Sequence, residues 1–201
     1  MRLTHAVLIL ADISGYTDFI TNREVSLLHA EQIITDLLES MIDRTEHPLI
    51  LNKLEGDAAF LYAESGPDRT AAVRDALTQV RMLFAAFDER LDKIRVERSN
   101  CSCDACANVS RLKLKAFAHC GEIAIKQVRQ FEELAGEEVI LIHRLMKNHL
   151  DEREYVLLSA AITDAWPMPA GLGRRHAEPF EGMGELALTV LSPADLVAVT
   201  S

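Results

Sequence analysis

The order of apolar patterns along the chain predicts an α+β fold: a ferredoxin-like β-α-β-β-α-β core with additional C-terminal strands and helices. Three observations carry this expectation. The run Val7 to Ala11 is apolar at consecutive positions, as a central strand covered on both faces must be. Two long stretches carry apolar residues at helical spacing. Between them, Leu49 to Lys53 and Ala58 to Ala63 read as two strands joined by the tight turn Glu55-Gly56-Asp57. A hairpin between two helices favours an antiparallel sheet over a doubly wound parallel one.

The first strand ends at Asp12-Ile13-Ser14-Gly15. From Thr17 a helix is expected, with Leu27, Leu28, Ile33, Ile34, Leu37, Leu38, Met41 and Ile42 as its apolar stripe. It should end near His47-Pro48, because a residue before proline avoids the α region. Gly66-Pro67-Asp68 opens the second helix, whose stripe runs from Ala72 and Val73 to Phe84 and Phe87. The pattern breaks from Arg95 to Ser110, a stretch that reads as a loop insertion holding Cys101, Cys103 and Cys106. Leu112 to Ala118 alternates as a half-buried strand, with Lys113 and Lys115 on its solvated face. His119-Cys120-Gly121-Glu122 is expected to turn, and Ile123 to Val128 to form another strand. Gly136 precedes a third helix with Val139, Ile140, Ile142, Leu145 and Met146. Tyr155 to Leu158 (strand), Ala160 to Trp166 (helix) and Leu186 to Leu191 (strand) complete the chain.

The 201 residues suit one domain, residues 1–201, with the cysteine-containing insertion at about 95–110. Hydrophobic residues make up 49% and charged residues 26%, which argues against disorder. A net charge of −10 argues against nucleic acid or an anionic membrane surface as partner. No run reaches the ~18 apolar residues of a membrane span. Ala6 to Ala11 lacks the basic flank of a signal peptide, so the expected location is cytoplasmic. The four cysteines are then thiols or metal ligands rather than disulfides.

Two constellations stand out. Asp12 ends a strand just before Ser14-Gly15 and a helix, and Asp57 sits in the turn before a strand that neighbours it in the expected topology. Paired carboxylates beside helix N-terminal amides suit a Mg²⁺-phosphate group. The alternative is a helix cap and a turn residue. In the second, Cys101-x-Cys103-x₂-Cys106 offers three thiols, with Cys120 as a fourth for a tetrahedral zinc ion. His119 is another donor but points opposite to Cys120 on a strand. The alternative here is a loop with free thiols.

Ala11-Asp12-Ile13-Ser14-Gly15-Tyr16-Thr17 resembles the opening signature of class III nucleotidyl cyclase catalytic domains. Lys53-Leu54-Glu55-Gly56-Asp57-Ala58, His119-Cys120-Gly121-Glu122 and Gly136 to Leu145 resemble three further signatures, in the family's order. The resemblance implies that Asp12 and Asp57 bind two Mg²⁺ or Mn²⁺ ions. It implies that the backbone of Ile13, Ser14, Gly15, Tyr16 and Thr17 cradles the triphosphate. Lys53 and Glu133 would read the adenine of ATP, Glu133 standing where the family has aspartate. Arg144 would stabilise the transition state. It also implies a head-to-tail homodimer, in which Asp12 and Asp57 face Lys53, Glu133 and Arg144 of the other copy.

One departure bears on rate. The family's transition-state asparagine falls on Ile140, read here as core packing. Losing one preorganised donor costs on the order of 10²–10³ in rate. Asn148, one turn past Arg144, is a candidate substitute. The expected function is therefore an adenylate cyclase that forms cyclic AMP slowly. The alternatives are an inactive cyclase-homology module that binds nucleotide or another ligand and signals by dimerising, and a ferredoxin-like module whose zinc loop mediates protein contacts.

Overall fold

The computed structural model describes residues 1–21, 27–169 and 171–200. Its strands are β1 (Arg2–Ser14), β2 (Ile50–Glu55), β3 (Ala58–Glu64), β4 (Lys113–Val128), β5 (Phe131–Ala135), β6 (Tyr155–Ser159), β7 (Arg174–Phe180) and β8 (Gly184–Leu191). Its helices are α1 (Tyr16–Thr21), α2 (Leu27–Asp43), α3 (Arg69–Glu97), α4 (Asp104–Asn108), α5 (Glu137–Leu145), α6 (Ala160–Ala165) and α7 (Pro193–Thr200). Residues 22–26 of the expected first helix lie outside the described residues.

The sheet runs β2-β3-β1-β4-β6-β8-β7, with β5 paired to the far end of β4. Its first four strands are antiparallel neighbours in the order expected of a ferredoxin-like core. β1 explains its own composition. Val7, Ile9, Ala11 and Ile13 face one core with α2 and α3, and Ala6, Leu8 and Leu10 face a second core with α5. A strand covered on both faces has no solvated side and so no alternation.

Asp68 caps α3, its carboxylate accepting from the Ala71 amide at 2.9 Å. The α2 stripe is narrower than expected. Ile33, Ile34, Leu37, Leu38 and Met41 are buried, whereas Leu27 and Leu28 are exposed. The helix also stops at Asp43, short of His47-Pro48.

The expected turn at His119-Cys120-Gly121-Glu122 is instead continuous strand. β1 extends back to Arg2 and keeps β4 hydrogen-bonded past this point, with His5 opposite Glu122 and Arg2 opposite Ile125. The chain reverses later, where Arg129 takes φ 57° before β5. Strands β5 and β7 and helix α7 were not expected. β5 (Phe-Glu-Glu-Leu-Ala) pairs with β4 and buries Leu134, its acidic residues being bonded to β2 and β3 side chains, so no apolar run marks it.

The insertion is less irregular than its sequence suggests. Arg95 to Glu97 complete α3, and α4 is followed by a 3₁₀ turn, Val109–Arg111. Among the described residues no helix is long and apolar enough to cross a membrane.

Candidate nucleotide and metal site

Backbone pairing brings the two candidate metal ligands together. Asp12 lies opposite Ala58 in the β1–β3 ladder, and the Ile13 amide donates to the Asp57 carbonyl at 3.2 Å. Asp12, Asp57, the segment Ile13, Ser14, Gly15, Tyr16 and Thr17, Asp18 and Lys115 line one cleft of about 350 Å³. Gly15 makes the loop possible. Its φ of +92° lies where a side chain is strained. The Gly15 carbonyl then accepts from the Phe19 amide at 3.0 Å, opening α1.

Burial, followed by the charge of Asp57, pushes the Asp12 carboxyl up to about 6, and Lys115 opposes the shift. Burial also raises Asp57. Two carboxylates that pay for desolvation and face each other favour a divalent cation, so the donor set fits a hard, oxygen-preferring metal ion. Lys115 was expected to be a solvated strand residue. The alternation of its strand was legible, but the loop facing that side was not.

A second group of expected site residues lies elsewhere. Lys53 Nζ pairs with Glu133 Oε2 at 2.9 Å, and the Asn52 side chain donates to the Glu132 carbonyl at 3.2 Å, tying β2 to β5. Tyr62 donates to Glu132 at 2.6 Å. Arg144 sits in a shallow depression with Val139, Ile140, His143 and Lys147, its Nη1 3.7 Å from Glu181. Lys53, Glu133 and Arg144 do not line the Asp12–Asp57 cleft.

Ile140 is not a core residue: it is 56% exposed, because Ile142 and Leu145 form the buried side of α5. Asn148 is committed elsewhere. Its amide donates to the Leu145 carbonyl at 2.7 Å and to the Tyr155 hydroxyl at 2.8 Å.

Two contacts hold α5 in place. His119 Nε2 is 2.5 Å from Glu138 Oε2 and its Nδ1 is 2.7 Å from Ser159 Oγ. Gly121, two residues along the same face of β4, leaves room for Glu138; a Cβ there would meet the carboxylate at 2.6 Å. Burial keeps the His119 pKa below its ordinary value despite Glu138. One helical turn before Lys147, His143 Nε2 lies 3.0 Å from Glu55, in the same turn as Asp57. The His119-to-Glu122 and Lys53-to-Asp57 signatures thus both anchor the helix that carries Arg144.

Three cysteines converge on a histidine that the sequence did not single out. His29 Nδ1 is 3.4 Å from Cys103 Sγ, 3.6 Å from Cys101 Sγ and 4.0 Å from Cys106 Sγ, and the Cys101 and Cys103 sulfurs are 3.5 Å apart. This donor set can hold a metal ion. Cys120 is not part of it. That thiol is buried on β4, donates to the Ala161 carbonyl at 3.3 Å and is pushed up to about 11 by burial. His29 is 72 residues from Cys101 in sequence, so no local spacing reports the pairing.

The fold is that of class III nucleotidyl cyclase catalytic domains. The adenylyl cyclase CyaB of Pseudomonas aeruginosa superposes with a TM-score of 0.70 at 12% identity, covering 95% of both chains. The guanylate cyclase domain of RhGC from Catenaria anguillulae, solved in complex with GTP, gives 0.60 at 10% identity over 96% of this chain and 98% of that one. By sequence the chain belongs to the family described as "Protein of unknown function (DUF2652)", whose pattern it matches over residues 34–155. It is 36% identical over 156 residues to the uncharacterized protein Rv2561/Rv2562 of Mycobacterium tuberculosis, covering 76% of this chain and 69% of that protein.

Proposed function

We propose that this chain binds ATP with Mg²⁺ or Mn²⁺ at the interface of a homodimer and converts it slowly to cyclic AMP. The observation that carries the reading is the shared cleft of Asp12, Asp57 and the Ile13-to-Thr17 loop, with both carboxyls raised by burial. Asp12 and Asp57 would hold the metal, which, when bound, favours ionisation of the ribose 3′-hydroxyl and offsets phosphate charge. The loop amides orient the triphosphate. The 3′-oxygen attacks the α-phosphorus, the bond to the β-phosphate oxygen breaks, pyrophosphate leaves and the hydroxyl proton passes to solvent.

Arg144 supplies charge where negative charge develops. Lys53 and Glu133 offer a donor and an acceptor side by side for the edge of the base. Because they and Arg144 lie away from the cleft, a second copy is the natural source of the missing half. Exposed apolar residues support that assembly: Ile50 and Leu54 on β2, Phe131 on β5 and Ile140 on α5 share elements with Lys53, Glu133 and Arg144.

The test is incubation with ATP and Mn²⁺ or Mg²⁺, with cyclic AMP measured and Asp57→Asn as control. Cyclic AMP from the wild type alone supports the reading. Metal-dependent ATP binding without product would instead favour a module that binds nucleotide and signals by dimerising. The exposed, apolar Ile140 at the reacting-phosphate position is the observation in favour of that second reading.

A further inference from the structure

We propose that His29, Cys101, Cys103 and Cys106 form a closed Cys₃His site for a structural zinc ion, which clips the insertion onto α2. Tetrahedral zinc, with Zn–S near ~2.3 Å and Zn–N near ~2.0–2.1 Å, requires ligand edges of roughly 3.8 Å between sulfurs and 3.6 Å between sulfur and nitrogen. The structure has 3.5 Å between the Cys101 and Cys103 sulfurs, and 3.4, 3.6 and 4.0 Å from His29 Nδ1 to the three thiols. All four donor atoms lie within 4.8 Å of one another. Disulfide chemistry does not explain the arrangement, because all three cysteines are free and the 3.5 Å sulfur separation far exceeds a bond of ~2.05 Å.

The donor set also separates this site from the cleft. Three thiolates and an imidazole select a soft or borderline ion and leave no open position, which marks a structural centre. The segment has reason to need one. Between the end of α3 and β4 it buries few side chains, chiefly Ala105, Cys106, Val109 and Leu112, against the backbone entropy lost by every ordered residue. Metal ligation supplies ordering free energy directly. Once ordered, Asp104, Asn108 and Arg111 line one pocket with Gly15, Asp18 and Phe19, next to the proposed phosphate loop. The site stands whether or not the cleft turns over nucleotide.

The experiment is metal analysis of full-length protein purified without chelator, with a cobalt-exchanged sample examined by visible absorption. One zinc per chain and the ligand-field bands of tetrahedral, thiolate-ligated cobalt are expected. His29→Ala and Cys103→Ser should each lose the metal, while Cys120→Ser should retain it. Should a variant fail to fold, chelator titration of the wild type, followed by loss of the cobalt bands and of thermal stability, reads the same site. Metal-free wild type with an unchanged melting temperature would overturn the proposal. So would retention of full zinc by both His29→Ala and Cys103→Ser, or loss of zinc in Cys120→Ser alone.

Discussion

The end of β1 and the surface made by β2, β5 and α5 carry the two halves of the candidate site, and they are built differently. At the β1 end, a register of paired strands sets Asp12 against the turn that holds Asp57, and both carboxyls are raised by burial. On the α5 side, Lys53 and Glu133 satisfy each other in partial solvent, each about one-third exposed, and Ile140 and Arg144 lie in an open depression. Asp12 and Asp57 are brought together within one chain because neighbouring strands of one sheet cannot separate without breaking the ladder. The second half is an unfinished surface with apolar neighbours. Under the proposed function, Asp12 and Asp57 would form an ion-binding half prepared by the fold, and the base-reading and arginine half would come from another copy.

The largest effect should come from the prepared half. Asp57→Asn is expected to lower cyclic AMP formation by on the order of 10³ or more, since a metal ligand supports at least as much as a single oxyanion donor. The melting temperature should stay level or rise slightly, because the ionised carboxylate is disfavoured where it lies. Parallel loss of activity and stability would mean that Asp57 is a structural turn residue.

Mixing tests the separation of the halves. Asp57→Asn and Arg144→Ala homodimers should each be inactive. Co-expressed, half of the dimers are mixed, and each mixed dimer has one intact site of two. Activity should return to about a quarter of wild type. No recovery, with mixed dimers demonstrated by mass spectrometry, would put both residues in one chain's site.

Ile140→Asn sharpens the view of the unfinished half. Because Ile140 is exposed rather than packed, the substitution should cost little stability. It should raise kcat by about tenfold or more with KM nearly constant, as for an interaction made in the transition state. An unchanged kcat would show that another donor already serves the phosphate.

The smallest effect concerns the clamp that positions α5. The His119 imidazole is expected to titrate below its ordinary pKa, measurable from its ring-proton NMR shifts. A histidine with a lowered folded pKa binds protons more tightly when unfolded. Its contribution to stability is therefore present above the unfolded value near 6.5 and lost as pH falls from there through the folded value. Wild type should lose more stability than His119→Asn between pH 7 and the acid side of that window. Equal losses would remove His119 from the account.

How far these halves could be read in advance depends on the range of the signal. Val7 to Ala11, the Glu55-Gly56-Asp57 turn and the stripe of α3 are local patterns, and each marked its element. Asp12 and Asp57 followed from topology, since a hairpin between two helices makes their strands neighbours. The failures were non-local. His119 to Glu122 looked like a turn because Gly121 is a chain breaker by composition. In the fold it is the space that lets Glu138 reach His119. Ile140 looked like core because apolar residues on a short helix point inward by default, yet the buried positions of α5 are Ile142 and Leu145, with Val139 and Leu141 packed beside them. His29 carried no signal because its partners lie more than 70 residues away.

Taken alone, the sequence determined the element order of the core, the two-sided burial of β1 and the four motifs that resemble a nucleotidyl cyclase. All of these reside in residue type and short-range spacing, which the periodicity of helix and strand converts into geometry. Tertiary structure decided which side chains meet. It joined His29 rather than Cys120 to the cysteine trio, turned Lys115 toward the carboxylate cleft and left Ile140 in solvent. It also kept Lys53, Glu133 and Arg144 away from Asp12 and Asp57. Contacts of that kind follow from the packing of distant segments against a common core, and the packing is a property of the whole chain rather than of any stretch of it.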